Sequence, residues 1–120
     1  MVKSYKDLIV WQKSVDLSLQ IYKITKNFPK EETYGIVSQM RRCAISIPSN
    51  IAEGSTRRGK SEYIQFLYIS FASGAELETQ LLIAKKLEYL PQSDFEKLNN
   101  LLQEIMKMLN SLIAKIKSST

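Results

Sequence analysis

The stretch QMRRCAISIPSNIAEGSTRRGKSE, residues 39–62, decides how the rest of the chain is read. With Ile36 just ahead of it, Met40, Cys43, Ile47 and Ile51 step by 4, 3, 4 and 4, the spacing of one helical face. Pro48 interrupts that face. It has no N–H for the carbonyl of Ala44 and its ring crowds that carbonyl, so a break or a bend is expected. Because the apolar period continues past the proline, the spacing predicts one helix kinked near Pro48. Gly54 is placed to let the chain leave this helix. Ser55 to Lys60 then reads as a short basic connection, with Gly59 as a second flexible point.

Helical patterning extends on both sides. Ser4 and Asp7 resemble a capping box ahead of a first helix. On that helix Val10, Leu17, Ile21, Ile24 and Phe28 recur on one face, and Leu8, Trp11, Val15, Leu19 and Tyr22 form an adjacent stripe. Pro29 disfavours helical geometry at Phe28, so the first helix should end near Asn27. The second should open at Lys30 or Glu31, where Glu31 and Glu32 suit the positive end of the helix dipole. Ser61 is expected to cap the third helix. This helix carries two stripes, one of Tyr63, Leu67, Ser70, Gly74, Leu77, Leu81 and Ala84, the other of Ile64, Tyr68, Phe71, Ala75 and Leu82. A helix packed on one side shows one stripe. Two stripes call for neighbours on both flanks, the second most simply another copy of the chain.

After Tyr89-Leu90-Pro91, Ser93 to Glu96 reads as a capping box for a fourth helix. There Phe95, Leu98, Leu102, Ile105, Leu109, Leu112 and Ile116 alternate steps of 3 and 4, the seam of a left-handed bundle. The pattern predicts an all-α fold, an antiparallel up-down-up-down four-helix bundle, in a single domain over residues 1–120.

Hydrophobic residues make up 44% of the chain and charged residues 24%, which fits a folded domain and excludes disorder. No apolar run approaches the ~18–20 residues that span a bilayer. The first residues hold only a short apolar run, so a secretory leader is not expected. A single cysteine allows no intramolecular disulfide, and a cytoplasmic location is expected. The net charge of +5 is unevenly placed: residues 1–62 carry 11 basic and 6 acidic side chains, residues 63–120 carry 6 of each. The bias suits a polyanionic partner.

Chemistry is sparse. With no histidine, the commonest general base and metal ligand is missing. Cys43 lies on the apolar face with Met40 and Ile47 and reads as a buried core thiol. No glycine-rich phosphate loop is present. Glu76 and Glu78, two apart on one helix, face different ways. No catalytic residue, metal or cofactor is therefore expected. The enzymatic alternative, a metal-dependent nuclease using Glu53, Glu62 and Arg42, lacks a ligand cluster. Arg42, Ser46, Asn50 and Glu53 step by 4, 4 and 3 and make a polar ribbon beside the apolar face. They read as a structural network within or between bundles. In it Ser46 or Asn50 would serve groups freed by Pro48, and Arg42 would pair with Glu76 or Glu78. Arg57, Arg58 and Lys60, three cations within four residues, fit either a phosphate-contacting patch or a solvated basic turn.

The chain resembles the small four-helix-bundle proteins encoded in intervening sequences of bacterial 23S ribosomal RNA genes. The resemblance rests on LIVWQK (residues 8–13), Phe28-Pro29, QMRRCA (39–44), SIPSNIAEG (46–54) and GAELETQL (74–81), in order along nearly the whole chain. Cys43 departs from the usual alanine, and Ser73 and Ala75 vary the small-residue segment. The resemblance implies a homopentamer. The family is also similar to the accessory variability determinant of diversity-generating retroelements, a basic, barrel-shaped pentamer that binds nucleic acid and a reverse transcriptase.

Residues and resemblance together lead to a non-enzymatic, homo-oligomeric nucleic-acid-binding protein that favours structured RNA. Arg41, Arg57, Arg58 and Lys60, with Lys13 as a weaker contributor, are expected to contact phosphates. The alternative is a protein-interaction scaffold that docks a polymerase or reverse transcriptase.

Overall fold

The computed structural model describes residues 4–119, and α-helix accounts for most of them. The helices are α1 (Ile9–Thr25), α2 (Ile36–Ser55), α3 (Lys60–Lys86) and α4 (Gln92–Ser118), with short 3-10 turns at Tyr5–Asp7 and Lys30–Glu32. No strand occurs among the described residues. The fold is all-α, a four-helix bundle with principal extents of 49 × 25 × 20 Å. Each helix packs on the next in sequence, and α1 also packs on α4, which closes the arrangement. The contacts run in opposite chain order. Ser18 meets Ala44 while Thr25 meets Arg41, and Glu78 meets Gln103 while Tyr68 meets Lys117.

The core is built from the stripes read in the sequence. Leu17 and Ile21 of α1, Met40, Ile47 and Ile51 of α2, Leu67, Leu77 and Leu81 of α3, and Leu102, Ile105 and Leu109 of α4 are fully buried. Each such aliphatic side chain contributes roughly 1.5–3 kcal/mol relative to exposure. The second stripe of α1 lies nearer the surface: Trp11 and Val15 are half-buried and Leu19 is exposed.

Pro48 sits inside α2 and is itself buried. The helix continues through it without a break, because the carbonyl that proline leaves unpaired has another donor. Ser18 Oγ of α1 donates to Ala44 O at 3.0 Å, sharing its proton with Ser14 O. From the other side Ser70 Oγ of α3 donates to Ile47 O at 2.9 Å. The polar ribbon supports the same turn, with Asn50 Nδ2 donating to Ser46 O and Ser46 Oγ, and Ser46 Oγ meeting Ser73 Oγ at 2.8 Å. Neither Ser46 nor Asn50 serves Ala44; the donor is on the neighbouring helix, where sequence spacing alone does not place it.

Several boundaries differ from the sequence reading. The first helix stops at Thr25, and Asn27 N and Phe28 N return to Ile24 O and Thr25 O. Lys30 opens only a 3-10 turn, and the second α-helix begins at Ile36 after Gly35. Ser4 caps the Tyr5–Asp7 turn and not α1. Ser61 and Ser93 lie inside their helices, whose N-caps are Gly59 and Pro91 with no side-chain bond. The third helix ends at Lys86 with Glu88 at a φ of 64°. There Tyr89 N bonds to Ala84 O and Glu88 N to Lys85 O, a Schellman motif with glutamate in the position that glycine usually takes.

Gly54 also has a different job. It lies within α2 and is buried, and the chain leaves only after Ser55. A Cβ there would lie 2.6 Å from Phe66 Cβ and 3.3 Å from Tyr63 O, so the glycine permits close approach of α2 and α3. Gly54→Ala gains roughly 1 kcal/mol of helix propensity but forces two backbones apart, an overpacking cost of about 1–3 kcal/mol. The expected net result is a thermal unfolding midpoint lowered by several degrees in a calorimetric or dichroism melt; an unchanged or raised midpoint would contradict the close approach.

Candidate functional site

The termini of α2, α3 and α4 meet at one end of the bundle, and the basic turn lies there. Ser55 Oγ and Thr56 Oγ1 donate to Ala52 O and Glu53 O at 2.7 Å each, two of the carbonyls in the last turn of α2. Thr56 N and Arg57 N bond back to Glu53 O and Gly54 O, which tightens the exit. Gly59, extended at φ −107° and ψ 148°, then starts α3.

The side chains of this turn are not equivalent. Arg57 lies between Glu53, at 2.8 Å, and Glu62, at 3.9 Å, and stacks over the Phe66 ring at 4.8 Å. Lys60 Nζ donates to Ser119 O and ties the start of α3 to the end of α4. Arg58 makes no ion pair or side-chain hydrogen bond among the described residues. Two cations from the far end of the sequence join this group. Lys117 Nζ donates to Tyr68 Oη at 2.6 Å, and Lys115 lines the adjacent cleft. Sequence reading did not pair them with Arg57–Lys60, although an antiparallel topology brings the end of α4 beside that turn.

The remaining predicted phosphate contacts stand apart. Arg41 is near the opposite end, where its Nε donates to Thr25 Oγ1 at 2.9 Å and its Nη2 to Tyr22 O at 3.3 Å, with the guanidinium 4.6 Å from the Tyr22 ring centre. It places a cation at the negative end of the α1 dipole. Lys13 pairs with Glu104 at 3.0 Å and links α1 to α4. Exposed pairs of this kind contribute about 0–1 kcal/mol, so pairing leaves Lys13 and Arg57 available to a stronger anion.

Within the polar ribbon, Arg42 pairs with neither Glu76 nor Glu78. Glu78 takes Gln103 on α4, while Arg42 and Glu76 border a groove between α2 and α3 that also includes Cys43, Ser46 and Ser73. The Cys43 thiol is buried, and Gln80 Nε2 donates to its sulfur at 3.5 Å. Burial raises its pKa from 9.0 to about 11, with the carboxylate of Glu76 adding to the rise and the Gln80 bond opposing it. No group of three or more His, Cys, Asp or Glu side chains able to hold a metal occurs among the described residues. No described helix is long and apolar enough to cross a membrane.

The outer face of α3 is largely apolar, with Gln65, Glu76 and Lys86 also exposed on it. Tyr68, Ile69, Leu82, Ile83 and Leu87 are each 42–51% exposed, with Ala72, Ala75 and Thr79 between them on the same side.

Comparison with known proteins gives a consistent likeness. A family model described as 23S rRNA-intervening sequence protein matches residues 6–111. A crystal structure of a protein of unknown function from the S23 ribosomal protein family of Bacteroides thetaiotaomicron is 28% identical. It superposes with a TM-score of 0.82 over 88% of this chain and 96% of its own. No curated protein matches the chain.

The thiol supplies a test of the α2–α3 packing. A raised pKa keeps Cys43 protonated in the folded protein where the unfolded chain has already lost the proton, so its contribution to stability falls as pH rises from 9 toward 11. At pH 8 an aromatic disulfide reagent should modify the native protein slowly and the denatured protein at once. Fast native modification would contradict the packing.

Proposed function

Because the chain belongs to the 23S rRNA-intervening sequence protein family, we propose that it is a non-enzymatic homo-oligomer that binds structured RNA through basic bundle ends. Its protomer is an antiparallel up-down-up-down bundle with α2 bent at Pro48, and its location is the cytoplasm. Five copies, as the family resemblance implies, assemble through the exposed apolar face of α3. An apolar stripe of that length on a small domain is most simply covered by another protein surface. Arg42 and Glu76, unpaired with each other in the protomer, border the same side and find partners in the assembly.

The observation that carries the RNA reading is the charge gathered at one end. Lys115 and Lys117 stand with Arg57, Arg58 and Lys60. Assembly repeats this patch around an axis, and several weak phosphate contacts then act as one stronger, salt-sensitive association. Arg41 and Lys13 add contacts away from that end. The exposed face of α3 also favours a second reading, a scaffold that docks another protein.

Labelled hairpin RNA titrated at two salt concentrations, alongside light scattering of the protein alone, tests the proposal. The expected mass is a multiple of 13.8 kDa. Affinity should fall steeply with salt, and Arg57→Ala with Arg58→Ala should weaken binding and lower the salt slope by about one per lost contact. Absence of binding at low salt, or binding that ignores the double substitution, overturns the RNA reading. A monomer mass at micromolar concentration overturns the assembly and leaves the α3 face to a different partner, captured even after nuclease treatment.

A further inference from the structure

A ring needs a second surface that the α3 face alone does not provide. Copies that met α3 to α3 would form an isologous pair and stop at two, whereas a cyclic ring of more copies joins two different patches head to tail. We propose that the second patch is the outer face of α1 and α2 around Leu19, Tyr22, Tyr34 and Ile45, and that it receives the α3 face of the next copy. The inference rests on the assembly reading above and adds to it the surface on which α3 docks.

The patch is apolar and open in the protomer. Leu19 is 66% exposed and Tyr34 96%, and Tyr22 and Ile45 are exposed as well. Tyr22, Tyr34, Val37 and Ile45 border one groove, and Leu19 and Val15 continue the stripe back along α1 by steps of 3 and 4. This is the second stripe of α1, which the core leaves only partly covered. A large apolar patch of this kind marks an interaction surface. Its position suits a ring. Among the described residues α1 packs on α2 and α4 but not on α3. The two helices therefore lie diagonally across the bundle, and their outer faces turn to different sides and to different neighbours.

The two faces complement each other in shape. On α3 the outward row Tyr68, Ala72, Ala75, Thr79 and Leu82 is small in the middle and large at both ends. On α1 the row Val15, Leu19 and Tyr22 stands highest in the middle, because Val15 is half-buried and Tyr22 is partly covered by the Arg41 guanidinium. Ala72 to Thr79 and Val15 to Tyr22 are each seven residues apart, about 10 Å of helix. The Leu19 ridge thus fits the low middle of the α3 row.

Charge selects the same pairing. Arg41 and Arg42 border the α1–α2 groove, and neither is paired with a carboxylate among the described residues. Glu76, near the middle of the α3 face, is likewise paired with no cation there, while Lys86 stands at the end of that face beyond Leu82. Meeting α3 to α3 would bring like charges together around the middle of the contact. Meeting α3 to α1–α2 brings the carboxylate to the arginine side.

The test places a charge on one face at a time in the full chain and reads mass by light scattering at micromolar concentration. Leu19→Glu blocks the α1–α2 face and Leu82→Glu the α3 face; both positions are exposed, and a dichroism melt checks that each variant folds. Ile45→Glu replaces Leu19→Glu if that variant melts early. Each variant alone should lose the ring and run as a monomer. Mixed in equal amounts they should form a pair and nothing larger, because Leu19→Glu keeps a working α3 face and Leu82→Glu keeps the surface that receives it. If Leu19→Glu and Ile45→Glu assemble like the native chain while Leu82→Glu does not, the α1–α2 surface is overturned and assembly through α3 stands. Two monomeric variants that fail to pair on mixing also overturn it, since the two faces then do not meet each other. A native chain that is itself a monomer overturns both readings.

Discussion

The carbonyl of Ala44 is the constraint on which the rest of the structure depends. Pro48 removes the N–H that would have paired it, in a buried turn of α2. An unpaired carbonyl there costs about 1–3 kcal/mol, a large part of a small domain's total stability. Ser18 of α1 meets the cost by donating to it. For so short a side chain to reach another helix's backbone, the two helices must come close, and Ser14, Ser18 and Ala44 are all small and buried at that level. On the other flank Ser70 and Ser73 do the same for α3. The proline turn thus fixes the register of α1 and α3 against α2 at once.

Register decides what meets at the ends. With α2 and α3 aligned at Ile47 and Ser70, Gly54 faces Tyr63 and Phe66, and the Arg57–Lys60 turn closes beside the end of α4. Residues separated by most of the chain then share one surface. The same alignment turns Tyr68, Ile69, Leu82 and Ile83 outward, because the inner stripe of α3 is already filled by α2 and α4. The basic end and the apolar flank are consequences of one packing arrangement, and the RNA and assembly readings draw on them separately.

Much of this was legible in the sequence, and the exceptions have a common cause. Spacing alone identified the buried stripes of all four helices, because burial repeats with the helical period. It also placed Cys43 in the core and showed that Glu76 and Glu78 point apart. What it missed depends on neighbours. Gly54 looked like a helix exit because glycine often is one, but here its use is the approach of Phe66. Nothing in the spacing singles out Ser18, because its partner lies 26 positions away. The open, unpaired appearance of Arg57 likewise vanished once Glu53 one turn back and Phe66 one helix on were in place.

Whether Ser18 answers Pro48 is measured by a double-mutant cycle in chemical denaturation. Ser18→Ala strands the Ala44 carbonyl, whereas with Pro48→Ala the backbone N–H at position 48 pairs it again. Ser18→Ala should therefore cost about 1–3 kcal/mol in the native sequence and at least 1 kcal/mol less when Pro48→Ala is also present, a coupling readily resolved by such a cycle. Equal costs in the two backgrounds would contradict the claim.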